Sequence, residues 1–166
     1  MKQKSSNVIF LAFGAMIAAL YVVLTMPFAS FAFGVIQFRF AEALTILPFF
    51  TPAAIPGLTL GCLLANLLAG APLLDVIFGT VATLLGALGS YALRKQKWLV
   101  CVPPILSNTV IIPWVLRMAY GVPDAIPFLM LSVGISEIIA IGILGNLLLN
   151  FLQPMRHVLF EKCSSR

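Results

Sequence analysis

Charge is what this sequence has least of. Only 9% of its 166 residues are charged, where a soluble domain carries about a quarter, and 61% are hydrophobic, with a mean hydropathy of +1.11. Between Ser5 and Tyr91 the charged side chains are Arg39, Glu42 and Asp75 alone. That gap excludes a water-soluble fold and assigns the chain to a bilayer. Histidine is nearly absent too: His157, near the C-terminal end, leaves nothing from which to build a zinc centre or a Ser-His pair. Cys62, Cys101 and Cys163 show no CxxC spacing, so they read as small hydrophobes rather than a metal or disulfide framework. No GxxxxGK[ST] loop occurs, so no nucleotide hydrolysis is expected of the chain itself. No enzyme activity, catalytic residue, metal or cofactor is expected. The net charge of +5 would suggest nucleic acid in a soluble protein, but here it is the Lys and Arg excess of cytoplasmic loops.

What is present is apolar sequence broken by proline. At about 20 residues per crossing the length allows six or seven spans with little loop to spare. The apolar runs predict an all-α integral membrane protein. It forms one transmembrane domain over 1–166, a compact bundle with spans near 8–26, 39–50, 57–70, 74–93, 98–117 and 123–152. The first run is longer than a signal-peptide core and no A-x-A site follows it, so it is expected to be a permanent span. Pro48, Pro52 and Pro56 make the second and third spans short, and the two can instead form one re-entrant hairpin. Lys2, Lys4, Arg94, Lys95, Lys97, Arg156, Lys162 and Arg166 fall on one side if six spans are threaded with both termini in the cytoplasm. A multi-pass protein of a bacterial plasma membrane is the expectation. No internal repeat points to an inverted-repeat transporter.

With that topology, several polar residues fall in the outer half of the membrane. Glu42 lies one turn inside the second span and Asn66 one turn below the end of the third. Asp75 opens the fourth, Asn108 is midway along the fifth, and Glu137 is ~21 Å into the sixth at 1.5 Å per residue. Each has a plain structural reading. Asn66 and Asn108 can be interhelical hydrogen bonds, Glu42 can pair with Arg39 three residues away, and Asp75 can cap its helix. Asp124 reads as a solvated loop residue. Glu137 differs, because its own segment holds no base to neutralise it, and a carboxylate at that depth is costly enough to be kept for a ligand, ion or proton. Carboxylates and amides together favour a small, flat, donor-rich or cationic ligand. Arg39, Trp114, Arg117 and Tyr120 are candidates for the rim or lid. The phenylalanines Phe28, Phe31, Phe33 and Phe38 read either the same way or as an interfacial aromatic belt.

Small residues recur at four-residue spacing: Gly14/Ala18 and Ala15/Ala19 in the first span, Gly57, Gly61, Ala65 and Ala69 in the third, and Ala82, Gly86 and Ser90 in the fourth. Such stripes let helices approach closely. Most serve internal packing, but three smooth faces leave one for a membrane partner, and Gly14, Ala15, Ala18 and Ala19 are its candidates.

The run from Gln37 to Thr45 (QFRFAEALT), the run from Leu47 to Gly57 (LPFFTPAAIPG), Gly61–Leu68, Asp75–Thr80, Leu106–Asn108 and Gly134–Glu137 together resemble the QueT family over nearly the whole chain. The resemblance implies the substrate-binding S component of an energy-coupling factor transporter. Such a six-helix protein captures a queuosine precursor outside, while a transmembrane coupling subunit and two ATPases drive uptake. It implies a deazaguanine ligand, such as the aminomethyl form or queuine. It also implies that Ala15 and Ala19, which match the AxxxA pattern of S components, touch the coupling subunit. Glu42, Asn66, Asp75, Asn108 and Glu137 are the expected substrate-binding residues. The rival readings are a stand-alone or proton-coupled carrier for a small cationic or heteroaromatic solute, an intramembrane enzyme, and a structural subunit that binds nothing.

Overall fold

A computed structural model describes residues 2–28, 39–156 and 158–159, with side chains from residue 7 onward and not for Phe28. Phe31, Phe33, Phe38, His157 and Cys163 lie outside the described residues, as does most of the expected 27–38 connection. Among the described residues there is no strand. α1 spans Lys2–Thr25 and gives way to one 3-10 turn, Met26–Phe28, where Pro27 lacks the N–H needed to continue it. α2 is Phe40–Phe49, α3 Ala54–Leu68, α4 Leu73–Ala92 and α5 Val102–Ala119. α6 runs without a break over Ile126–Met155.

The helices start and stop for local reasons. α3 ends in a Schellman turn: Gly70 takes a left-handed φ of 70°, its N–H reaches the Leu67 carbonyl, and the Ala71 N–H reaches the Asn66 carbonyl at 3.0 Å. α5 carries Pro103 and Pro104 in its first turn, where a missing N–H costs nothing.

Two segments depart from plain α-helix. α2 is wound throughout as a 3-10 helix, and Thr45 Oγ1 donates at 2.6 Å to the Glu42 carbonyl one tight turn back. Tighter winding carries a short segment farther, about 2.0 Å per residue against 1.5 Å. Within α6 the stretch Ile138–Gly145 is π-wound, and Asn146 Nδ2 donates at 2.7 Å to the Gly142 carbonyl inside it. π-wound turns are rare and concentrate near functional sites; this one begins right after Glu137.

α1 packs on α3, α3 on α4, α4 on α5 and α5 on α6, while α2 touches α1, α3, α4 and the π-wound part of α6. α2 is the core of the bundle, with seven of its ten residues buried. The closest seam is α1 against α3. A Cβ placed on Gly57 would sit 2.7 Å from the Gly14 carbonyl oxygen, and one on Gly61 would sit 2.7 Å from Tyr21 Cβ. Gly14 and Ala18 are buried in that seam, whereas Ala15 and Ala19 are exposed on a neighbouring face of α1. Gly86 of α4 meets Pro104 in the same manner.

The six spans read from the sequence resolve into four long helices and two short ones. Asn7–Thr25, Leu73–Ala92, Lys97–Ala119 and Ile126–Met155 are long and apolar enough to cross a membrane. α3, at 15 residues, reaches ~22 Å and α2 about 20 Å, both below the ~30 Å of hydrocarbon. The outside of the bundle is apolar, with Leu11, Val23, Leu73, Met118, Leu131 and Phe151 exposed. In water that would be an aggregation hazard; in a bilayer it is the lipid-facing surface.

Candidate substrate site

The polar residues gather around the start of α2. Glu42, in its first turn, is 2% exposed, Glu137 on α6 8% and Asn108 on α5 4%. Asn108 Nδ2 donates to both acids, at 3.4 Å to Glu42 Oε2 and at 3.0 Å to Glu137 Oε1, so one amide nitrogen holds two carboxylates from different helices. The other oxygen of Glu42, Oε1, accepts from the Tyr21 hydroxyl at 2.5 Å. Glu137 Oε2 is buried without a hydrogen-bond partner.

A second cluster adjoins the first, because Arg39 immediately precedes α2. Its guanidinium meets Asp75 Oδ2 at 3.4 Å, and the Tyr120 hydroxyl donates to the same oxygen at 2.7 Å. Arg39 is 6% exposed and Asp75 0%, so this is an ion pair removed from water. Asn66 Nδ2 donates to the Asp75 backbone carbonyl at 3.2 Å, tying α3 to the first turn of α4. Gly79, one turn further along α4, makes room for these groups: a Cβ there would lie 2.9 Å from Asp75 Oδ1 and 3.2 Å from Asn66 Nδ2. Tyr120 stands just past the end of α5. Burial, then its hydrogen bond to the Asp75 carboxylate, pushes its phenol above the usual range.

Asn66 Oδ1, Asp75 Oδ1, Glu137 Oε2 and Thr109 Oγ1 are buried polar atoms without a partner. They come from α3, α4, α6 and α5, and three of the four are acceptors only. Leaving such a group unpaired costs ~1–3 kcal/mol. Acceptors from separate helices, beside two carboxylates, form a site suited to a ligand rich in N–H donors.

Glu42, Asn108 and Glu137 thus form one cluster and Asn66, Asp75, Arg39 and Tyr120 its neighbour, all buried or half-buried. Trp114 and Arg117 lie elsewhere, exposed on the outer side of α5. Trp114 lines an apolar groove of about 280 Å³ with Leu74, Phe78 and Val110. The sequence reading passed over Tyr21 and Thr109. Tyr21 is the one phenol in the first apolar run, and a hydroxyl in hydrocarbon is itself a request for an acceptor. Among the described residues no group of three His, Cys, Asp or Glu is placed to hold a metal.

A curated queuosine precursor transporter QueT from Lactococcus lactis subsp. cremoris (strain MG1363) is 42% identical over 72 residues, which cover 42% of this chain and 42% of the relative. The matched stretch thus spans less than half the length of either protein. No solved structure matches the chain. The profile described as QueT transporter matches residues 11–154, and this includes every residue of both polar clusters. The chain therefore belongs to the QueT transporter family, and it is a multi-pass cell-membrane protein.

Proposed function

We propose that this protein is the substrate-capture subunit of an ATP-driven importer of the energy-coupling factor type, taking a queuosine precursor from outside the cell. The observation that carries the reading is the pair of buried carboxylates, Glu42 and Glu137, held by the single Asn108 amide. A deazaguanine with an aminomethyl arm brings what this cluster lacks: a row of ring and amino N–H donors, plus a cation. Glu42 and Glu137 accept the guanine-like edge and the amine, charge-assisted bonds of the stronger kind. Asn66 and Asn108 meet the remaining donors and acceptors of the ring, and Asp75 stands by the entrance with Arg39 and Tyr120. The relative named for queuosine precursor transport supports the substrate class.

In this reading the chain crosses the membrane six times with both ends in the cytoplasm, α2 and α3 included. The exposed pair Ala15 and Ala19 meets the transmembrane coupling subunit, and two ATPases supply the energy. Calorimetry on the purified protein tests the substrate: aminomethyl-deazaguanine or queuine is expected to bind, and thiamine, biotin and riboflavin are not. Glu42→Gln and Glu137→Gln should each weaken binding by ~1–3 kcal/mol; unchanged affinity in both variants would overturn the site. A stand-alone carrier using Glu137 as its proton site is distinguished by uptake in cells that lack any coupling subunit, dependent on the proton gradient and not on ATP.

A further inference from the structure

Far from the polar core, at the end of the bundle where α2 and α4 finish, lies a concave site of about 190 Å³. It is lined by Pro48 and Phe49 of α2 with Phe50 just after it, by Tyr91 of α4 with Arg94 and Lys95 just beyond it, and by Arg156 beyond α6. We propose that this pocket binds the phosphate of an anionic phospholipid headgroup.

Its charge is one-sided. Among the described residues three cations line it, and no acidic side chain does. Among the described residues the ion pair is Arg39 with Asp75, which leaves Arg94, Lys95 and Arg156 without a carboxylate. Cations do gather at helix C-termini, where each helix end presents roughly half a negative charge. The ends of α2, α4 and α6 together account for about one and a half units, so a surplus of about one and a half positive charges remains, enough for a phosphodiester.

The cations are also positioned. The Arg94 guanidinium stacks 3.9 Å from the centroid of the Tyr91 ring, which fixes the plane of its donors. Lys97 sits just outside the pocket and donates to Asn150 at 2.6 Å and to Gln153 at 2.8 Å, both near the end of α6. That clamp ties the segment after α4 to the last turns of α6, one turn before Arg156, which lines the pocket together with Arg94. Lys97 thus spends its charge on structure, whereas the three pocket cations do not.

Three apolar side chains complete the lining. Phe49 and Phe50 pack edge to face with centroids 4.9 Å apart, beside Pro48. Cations beside three apolar side chains, at the end of a membrane bundle, suit a phosphate that carries glycerol and acyl chains, and the comparison with inorganic phosphate below separates such a lipid from a free anion. Basic pockets between transmembrane helices take such headgroups.

The test is lipid retention by native mass spectrometry of the full-length protein, with thermal midpoints measured in detergent. The wild type is expected to retain phosphatidylglycerol at least about tenfold better than phosphatidylcholine of the same chains. The Arg94→Gln/Arg156→Gln variant should lose on the order of ten- to thirty-fold of that retention. Arg94→Lys/Arg156→Lys should keep most of it, and the midpoints of both variants without lipid report whether they fold. Equal retention of the two lipids, a preference that survives the glutamines, or an upward midpoint shift with inorganic phosphate as large as that with phosphatidylglycerol each overturns the proposal. The second would place the lipid elsewhere on the protein, and the third would assign the pocket to a free anion.

Discussion

The Tyr21 hydroxyl donates to Glu42 Oε1 across 2.5 Å, both side chains buried, and so joins the C-terminal end of α1 to the first turn of α2. The bond fixes one carboxylate oxygen and leaves the other to Asn108. Tyr21→Phe keeps the ring and removes the donor. It is expected to cost ~1–3 kcal/mol of stability, read as a lower thermal midpoint in detergent. Because the partners share one bond, Tyr21→Phe and Glu42→Gln should not add: a double-mutant cycle should return a coupling of about 0.5–3 kcal/mol. Strict additivity would mean that the bond does no work.

Asn108 is the second hinge of the arrangement. Its one nitrogen has two hydrogens, and both are committed to carboxylates. Asn108→Leu keeps the approximate volume but leaves Glu42 Oε2 and Glu137 Oε1 without this donor. The expected outcome is a loss of deazaguanine affinity at least as large as that of either Glu→Gln variant, measured by calorimetry. An Asn108→Leu protein that binds as the wild type does would remove the amide from the site.

How much of this was legible beforehand follows from what side-chain chemistry reports. Glu137 announced itself because an acid deep in an apolar helix has a free-energy cost that the sequence alone exposes. The long helices were legible for the same reason, since length and hydropathy set a crossing. The 3-10 winding of α2 was not, because apolar residues placed around the whole segment fit an i→i+3 ladder as well as an i→i+4 one, and only packing decides. The π-wound turns after Glu137 were hidden likewise in the uniformly apolar run Ile138–Gly145. Tyr21 was passed over because an aromatic ring in a membrane helix looks complete without its hydroxyl. Arg39 paired with an acid 36 residues away, a contact no local spacing encodes.

That pair gives a prediction of its own. Arg39 and Asp75 are out of water, and removing one partner of a buried pair costs ~3–5 kcal/mol, more than the pair contributes, because a desolvated charge remains. Asp75→Asn keeps the shape and an acceptor for Tyr120 but deletes the charge. It is expected to lower the thermal midpoint more than Tyr120→Phe, which removes only a hydrogen bond of about 0.5–3 kcal/mol. The reverse order would show that the ion pair is not what holds the start of α2 to α4.

The α1–α3 seam should be intolerant of volume. Gly61→Val would drive side-chain atoms into the Ala18 backbone and Tyr21 Cβ, which lie 3.0 Å and 2.7 Å from where even a Cβ would stand. Overpacking of this kind costs ~1–3 kcal/mol or more, and the displaced Tyr21 would carry the Glu42 bond with it. Gly142→Ala is the control, since its nearest added contact is an ordinary 3.6 Å to Ile138 Cγ2. The first variant should lose both stability and deazaguanine binding and the second neither. Equal behaviour would show that the two helices can part without consequence.

On the proposed reading, in which a coupling subunit docks on α1, the two small pairs of that helix separate folding from assembly. Gly14 and Ala18 face α3, and the Gly14 carbonyl is already the nearest atom to a Cβ on Gly57, so side chains added there push the seam apart. Ala15 and Ala19 are exposed, and enlarging them disturbs nothing inside the protein. Ala15→Leu/Ala19→Leu should therefore keep its thermal midpoint and its deazaguanine affinity while losing co-purification with the coupling subunit and ATP-dependent uptake. Gly14→Leu should lose stability first and everything else as a consequence. The contrast matters because a partner surface is defined by loss of assembly without loss of fold. If the Ala15/Ala19 variant assembles and transports normally, the partner must dock on another face of the bundle, and the exposed stripe on α1 is only a lipid-facing surface.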